Sequence, residues 1–272
     1  MSAASPAVAV VSIGEMGCGV ARRLRAGGLR VVTALEGRGE RTRARAAEVG
    51  AEDAGSLAVA VQLADVLLSI VPPGSALDLA RAVGRDAGPL YVDCNAVSPA
   101  TARAIAATVG DRFVDAGIIG GPAAPRLYAS GPHAGRLAGL PLDVRVLDGA
   151  IGDASAMKMC YAALTKGLTA LLTESLVSAE ALGVAEALRA ELADSQPQFL
   201  ASAGRGVPAM VPKAYRWIAE MEEIAATFAG VGLTPRMLEG AADVYRFVEG
   251  VHPDGSGGLD AIIGKLRRAL AD

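Results

Sequence analysis

Short runs rich in β-branched residues recur through the first half of the chain and then stop. This change of rhythm restricts the fold more than any single motif. The runs are AVAVVSI (7–13), LRVVTAL (29–35), DVLLSIV (65–71), PLYVDC (89–94), RFVDAGII (112–119) and DVRVLD (143–148), with RLYAS (126–130) a shorter candidate. They read as buried strands. Segments 17–28 and 40–49 between the early runs have helical periodicity. Strand and helix in alternation point to right-handed βαβ units and a mostly parallel sheet.

After Gly152 the strand signals end. Segment 153–183 has no proline and one interior glycine, Gly167; Asp153 can cap its start and Gly183 can end it. A helix of this length spans roughly 45 Å. It is apolar on nearly every face, which predicts burial all round. A small C-terminal domain could hardly cover it, so a partner subunit is expected. Further helices are expected at 185–194, 213–229 and 235–249, the last opened by Thr234-Pro235. A glycine-rich break at 252–258 precedes a final basic helix, 259–270. The fold class expected is α/β: an N-terminal Rossmann-type, doubly wound, mostly parallel sheet over 1–152, then an all-α domain over 153–272 for dimerisation and substrate.

Composition narrows the function classes. The 272 residues carry a net charge of −3 and only 4% aromatics, which gives neither the electrostatic footprint nor the stacking platform of a nucleic-acid binder. Residues 1–10 lack the basic region of a signal peptide. The most apolar long stretch, 154–172, contains Lys158 and Lys166 and makes a poor membrane span. Cys18, Cys94 and Cys160 are scattered and odd in number, so neither a disulfide framework nor a metal site is indicated. The simplest inference is a reduced cytoplasmic protein.

The first strand runs into SIGEMGCG (12–19). This resembles the G-x-G-x-x-G turn of dinucleotide-binding folds, with Ser12 in place of the first glycine. That turn needs a tight bend, a close approach of backbone to pyrophosphate, and close helix-to-strand contact. Gly14 and Gly17 supply the second and third. Ser12 must bend the chain with a Cβ present, while Gly19 adds flexibility without restoring the pattern. The helix start around Glu15 and Met16 offers free N–H groups and a positive dipole end to a phosphate. Glu36, at the end of the second strand, suits ribose hydroxyls and NAD; Arg38, Arg41 and Arg43 just beyond could hold a 2′-phosphate. For Arg43 and Arg45 a solvated helix turn is preferred, so the balance leans to NADP through Arg38, with NAD open.

Five segments in order then resemble the 6-phosphogluconate dehydrogenase-like, β-hydroxyacid dehydrogenase superfamily. IGEMG (13–17) is similar to its LGxMG turn, and SIVPPGSA (69–76) to the segment bordering the nicotinamide. DCNAVSPAT (93–101) resembles its D-x-S-T-x-x-P segment, VDAGIIGGP (114–122) its DAPVSGG substrate loop, and GDASAMKMCYAALTKG (152–167) its catalytic helix. The resemblance implies that Val71, Pro72, Pro73 and Asn95 border the cofactor, that Gly120 and Gly121 bind substrate, and that Lys158 is the catalytic lysine. A lysine on a buried helix can serve as general acid and base if burial lowers its pKa.

The departures from the family pattern bear on substrate. Its loop serine is Ile119 here, its two asparagines after the lysine are Tyr161 and Ala162, and its central serine and threonine are Asn95 and Ala96. Tyr161 lies one turn from Lys158 and could donate in place of a lost amide; Thr165 continues the same face. Ile119, Ala162 and Thr165 then line a pocket for a substrate larger or less polar than 3-hydroxyisobutyrate or tartronate semialdehyde. His133 and His252 read as loop residues and Cys160 as buried packing. Trp217 and Met221 read as core or pocket lining, and Glu220, Glu222 and Glu223 as a solvated face.

The leading reading is an NAD(P)-dependent oxidoreductase acting on a hydroxy or oxo group, with a homodimer closing the site. An imine reductase on the same fold is the alternative among enzymes; Lys158, the residue of the alcohol and carbonyl group, argues against it. A non-catalytic NAD(P)-binding protein is the alternative outside them.

Overall fold

The inner strands of the N-terminal region are short, and their side chains alternate between two apolar layers. The computed structural model describes residues 6–85, 88–253 and 257–270. Residues 1–5, and 254–256 of the expected break, lie outside the described residues. The strands are β1 (Ala7–Val11), β2 (Arg30–Thr33), β3 (Glu52–Asp53), β4 (Val66–Ser69), β5 (Leu90–Asp93), β6 (Phe113–Ile119), β7 (Arg126–Ser130) and β8 (Asp143–Val146). They form one sheet in the order β3-β2-β1-β4-β5-β6-β7-β8. All pairs are parallel except β6 with β7. Along β1, Val8 and Val10 enter one core cluster with Leu24, Val92 and Ile118, while Ala9 and Val11 enter another with Leu67, Ile105 and Phe113. Both faces of the strand are therefore covered, as a parallel sheet requires.

Helices α1 (Glu15–Ala26), α2 (Glu40–Glu48), α3 (Leu57–Leu63), α4 (Ala76–Val83) and α5 (Pro99–Val109) connect the parallel strands. Because β1 lies between β2 and β4, the order reverses there and opens a crevice at the carboxyl ends of the strands. Strand β3 and helices α3, α4 and α5 were not expected. LAVAVQL reads equally well as a strand, and only the Ser56 hydroxyl, which accepts the Val59 N–H, marks its start as helical.

Helix α6 (Asp153–Leu182) is followed by α7 (Ala185–Ser195), α8 (Pro197–Met210), α9 (Ala214–Gly230), α10 (Arg236–Val251) and α11 (Gly258–Arg268). Helix α8 was also unexpected: it holds Pro208 and two glycines, and Pro197 opens it where a missing N–H costs nothing. The chain divides into two compact units, Met1–Met159 and Cys160–Asp272. The first two turns of α6 thus belong with the sheet, beyond the expected change at 152–153. Its own chain does not bury α6 on every side: Leu164 is 75% exposed and Leu171 57%. Cys160, expected to be buried packing, is exposed. Among the described residues, no helix is long and apolar enough to cross a membrane.

Candidate active site

Four polar residues interrupt the apolar strands at one level of the sheet. Ser69 is in register with Asp93, Asp93 with Asp115, and Asp115 with Ser130. All four are fully buried. Each must therefore find its partners inside the protein.

Asp115 organises the start of α6. Its Oδ2 accepts the N–H of Gly152 at 2.9 Å, the N–H of Ser155 at 3.0 Å and the Ser130 hydroxyl at 3.1 Å. Its Oδ1 accepts the Ser155 hydroxyl at 2.6 Å, and the Ser130 hydroxyl oxygen accepts the Ala154 N–H. The capping role expected of Asp153 thus falls to Asp115, which lies distant in sequence. Asp153 instead accepts the Ala150 N–H of the preceding turn. A carboxylate at this end of the helix also meets the positive pole of its dipole.

Capped in this way, α6 lays Lys158 along β6. A Cβ on Gly117 would stand 2.9 Å from Lys158 Cβ and 3.0 Å from its Cδ, so the lysine stem needs glycine beneath it. Lys158 Nζ donates to the Cys94 carbonyl at 3.4 Å. The residue keeps some contact with solvent, yet the protein packed round its ammonium lowers its pKa to about 8. Asp93, Asp115 and Cys94 act against that shift. Burial pushes the Asp93 carboxyl up to about 7, against the hydrogen bonds from Asn95 that favour its ionised form. Burial likewise raises the Cys94 thiol.

Asn95 is fully engaged. Its Oδ1 accepts the Val71 N–H at 2.7 Å, and its Nδ2 donates to Ser69 Oγ at 2.7 Å and to Asp93 Oδ2 at 2.8 Å. It therefore positions Val71, at the start of the Val71-Pro72-Pro73 segment, through bonds within the protein. Pro73 is buried and Pro72 exposed.

Ser12 stands where the first glycine of the turn is expected. Ser12 does not adopt a positive φ, so its Cβ meets no backbone penalty of the left-handed kind. Its N–H donates to the Ile70 carbonyl. Gly17 is sterically required, since a Cβ there would overlap the Ser12 carbonyl oxygen. Gly14 is the N-cap of α1, no side chain caps that end, and nothing lies within 4 Å of where its Cβ would stand. An open glycine before an uncapped first turn (Glu15, Met16, Gly17) fits a pyrophosphate. Glu36 and Arg38 are exposed beyond β2. Arg43, expected to be simply solvated, closes this turn by donating to the carbonyls of Arg38 and Leu35.

In the loop after β6, Gly120 has a φ of +100°, where a side chain would be strained, and Gly121 is open. Ile119 and Ala162 are buried; Tyr161 is 46% exposed. Thr165 is exposed and its hydroxyl donates back to the Tyr161 carbonyl. In the second unit, Glu220 does not lie on a solvated face: it pairs with Lys166, and both side chains are largely buried. The Lys166 ammonium sits 5.2 Å from the centre of the Trp217 ring, which meets Tyr245 edge-on. His252 takes a left-handed conformation and ends α10. Among the described residues no cluster of side chains suits a metal ion.

A doubly wound sheet with a degenerate glycine turn defines the class: this is a protein with an NAD(P)-binding domain. Residues 7–127 match the family described as the NAD binding domain of 6-phosphogluconate dehydrogenase, and residues 179–248 match a domain of unknown function, DUF1932. An uncharacterized 28.5 kDa protein from Methanothermus fervidus is 30% identical over 80% of this chain and 90% of its own. The chain belongs to the 6-phosphogluconate dehydrogenase-like family, in the branch that carries DUF1932. The conserved protein MTH1747, of unknown function and described as structurally similar to 3-hydroxyacid dehydrogenases, superposes with a TM-score of 0.67 at 34% identity, covering 90% of this chain and 97% of that one. A Mycobacterium tuberculosis 3-hydroxyisobutyrate dehydrogenase shares the fold at a TM-score of 0.72 and 21% identity, over 97% and 99% of the two chains. An imine reductase from Streptomyces aurantiacus also shares it, at 0.53 and 19%, over 95% and 98%. The similar proteins of known activity are oxidoreductases.

Proposed function

We propose that the protein is an NAD(P)-dependent oxidoreductase that interconverts a hydroxy and an oxo group, with Lys158 as general acid and base. The observation that carries this reading is the seat of Lys158: a lysine held on Gly117, with its pKa lowered to about 8 by burial. Such an amine can take the hydroxyl proton during oxidation and return it to the carbonyl oxygen during reduction. A bound nicotinamide supplies the hydride acceptor or donor. The turn 12–17 would hold its pyrophosphate, Val71 to Pro73 would border its ring, and Asn95 would fix that border from beneath. Gly120 and Gly121 would present N–H groups to the substrate. Ile119, in place of the family's loop serine, favours a substrate less polar than the usual small hydroxyacids.

Arg38 tilts the cofactor choice towards NADP, and Glu36 keeps NAD in play. Three free cysteines suit a reducing compartment such as the cytoplasm. A homodimer is proposed from α6: Tyr161, Leu164 and Leu171 are exposed at spacings that place them along one stripe of the helix.

The test is a fluorescence titration with NADPH and NADH on wild type and Arg38→Ala. Tight NADPH binding that Arg38→Ala weakens supports both the turn and the cofactor choice. No binding of either nucleotide at millimolar concentration overturns the reading. Imine reduction is the second reading, favoured by the apolar Ile119. Turnover of a cyclic imine that Lys158→Ala leaves intact would put it first. Nucleotide binding without turnover across ketones, hydroxyacids and imines would leave a binding protein.

A further inference from the structure

The loop between β6 and β7, residues 120–125, rests on α1 at two points. Gly19 was expected only to add flexibility, but it is buried, and a Cβ there would overlap the Pro122 carbonyl oxygen and stand 2.8 Å from Pro122 Cα and C. One turn on, the Arg23 guanidinium donates to the Ala123 carbonyl at 2.8 Å. Between them, Val20 shares the wall of a cavity of about 10 Å³ with Pro125. Gly19 and Arg23 are four residues apart and lie on one face of α1. The glycine therefore lets a backbone seat directly on the helix, and the arginine ties it there.

The same helix presents its uncapped first turn at Gly14 to Gly17. We infer that Gly19 and Arg23 are positioning residues that couple the nucleotide turn to the substrate loop, so that a nucleotide on the first turn of α1 orders residues 120–125. The inference rests on the nucleotide reading proposed above. A phosphate held at the start of α1 damps that helix, and the loop seated on its next two turns is damped with it. Reciprocity follows: whatever orders the loop tightens nucleotide binding by the same factor.

The experiment is hydrogen exchange of the peptide spanning 117–126, followed by mass spectrometry, with and without NADPH or NADH. Each nucleotide's Kd is measured in parallel on the full-length protein. Wild type should show loop exchange slowed by about fivefold or more on nucleotide binding. Arg23→Ala should abolish that slowing and weaken the Kd by no more than the same factor, and Arg23→Lys, which can still reach a carbonyl, should restore part of both. Gly19→Ala should raise loop exchange even without nucleotide, because the clash is with backbone that must move. If it fails to fold, the Arg23 pair carries the test. Nucleotide that binds without slowing the loop, or a loop response unchanged in Arg23→Ala, overturns the coupling and leaves the nucleotide reading standing. Failure of wild type to bind either nucleotide removes both, and the Kd measurement tells the two failures apart.

Discussion

At the residue scale, the proposed chemistry rests on Lys158 and the geometry that seats it on Asp115. Lys158→Ala should lower turnover by about 10²- to 10⁴-fold while nucleotide affinity is retained, a split that steady-state kinetics and titration read separately. In the oxidation direction kcat/KM should rise with pH and level off above about 8, as the buried amine loses its proton; in reduction it should fall over the same range. Asp93→Asn removes a negative charge that raises the lysine, so the midpoint should move lower. The buried Asp93 carboxyl also bears on stability. Its folded pKa of about 7 lies above its usual value, so its contribution is full below about pH 4 and lost as pH rises through 7. Urea midpoints across that range should fall more steeply in wild type than in Asp93→Asn. Asp115→Ala strands two backbone N–H groups and two hydroxyls inside the protein, and should cost on the order of 3–5 kcal/mol in denaturant titration. A reading of single residues had only local signals for Asp115, whose partners at Ser130, Gly152 and Ser155 come together through the sheet. What could have pointed to it is the polar residue breaking each apolar run in LLS, YVD, VDA and YAS.

At the scale of elements, β1 with α1 was the most legible part of the chain, because an apolar strand and a glycine turn announce one another. Ser12 lies outside the left-handed region, so the missing first glycine brings no strain of that kind. Ser12→Gly should therefore leave nucleotide affinity unchanged and lower stability by roughly 0.5–1 kcal/mol through a freer unfolded chain. Gly17→Ala, by contrast, should abolish nucleotide binding, because a Cβ would occupy the place of the Ser12 carbonyl. Elements that escaped the reading have physical reasons in common. Strand β3 is two acidic residues long and has no pattern to show. Helix α8 contains residues that usually break helices, and its buried side chains Ala203, Val207 and Met210 indicate that packing outweighs their low propensity. Gly117 was invisible as a site residue because its role is to leave room for the Lys158 stem, and a one-dimensional pattern does not show what crosses above a strand.

For the whole molecule, the exposed stripe of α6 makes the sharpest claim. Sedimentation should find a dimer, and Leu164→Glu with Leu171→Glu should shift it to monomer while the secondary structure is kept. The division into an alternating half and a helical half was legible from periodicity alone. The exact place of division was not, because the start of α6 is tied to the sheet by Asp115 and Ser130 rather than by any break in the helix pattern.

The single antiparallel pair has a consequence for how such a sheet can change over time. Parallel neighbours must be joined by a crossover, so altering their connections means rerouting a helix. The turn from β6 to β7 has no crossover in it, and both of its ends stay at the carboxyl edge. Residues 120–125 can therefore lengthen, shorten or change side chains without disturbing the order of the other strands. Under the proposed function, selection for a new substrate has its least disruptive variation there. The limit on that variation is the contact with α1: variants must keep a backbone seated on Gly19.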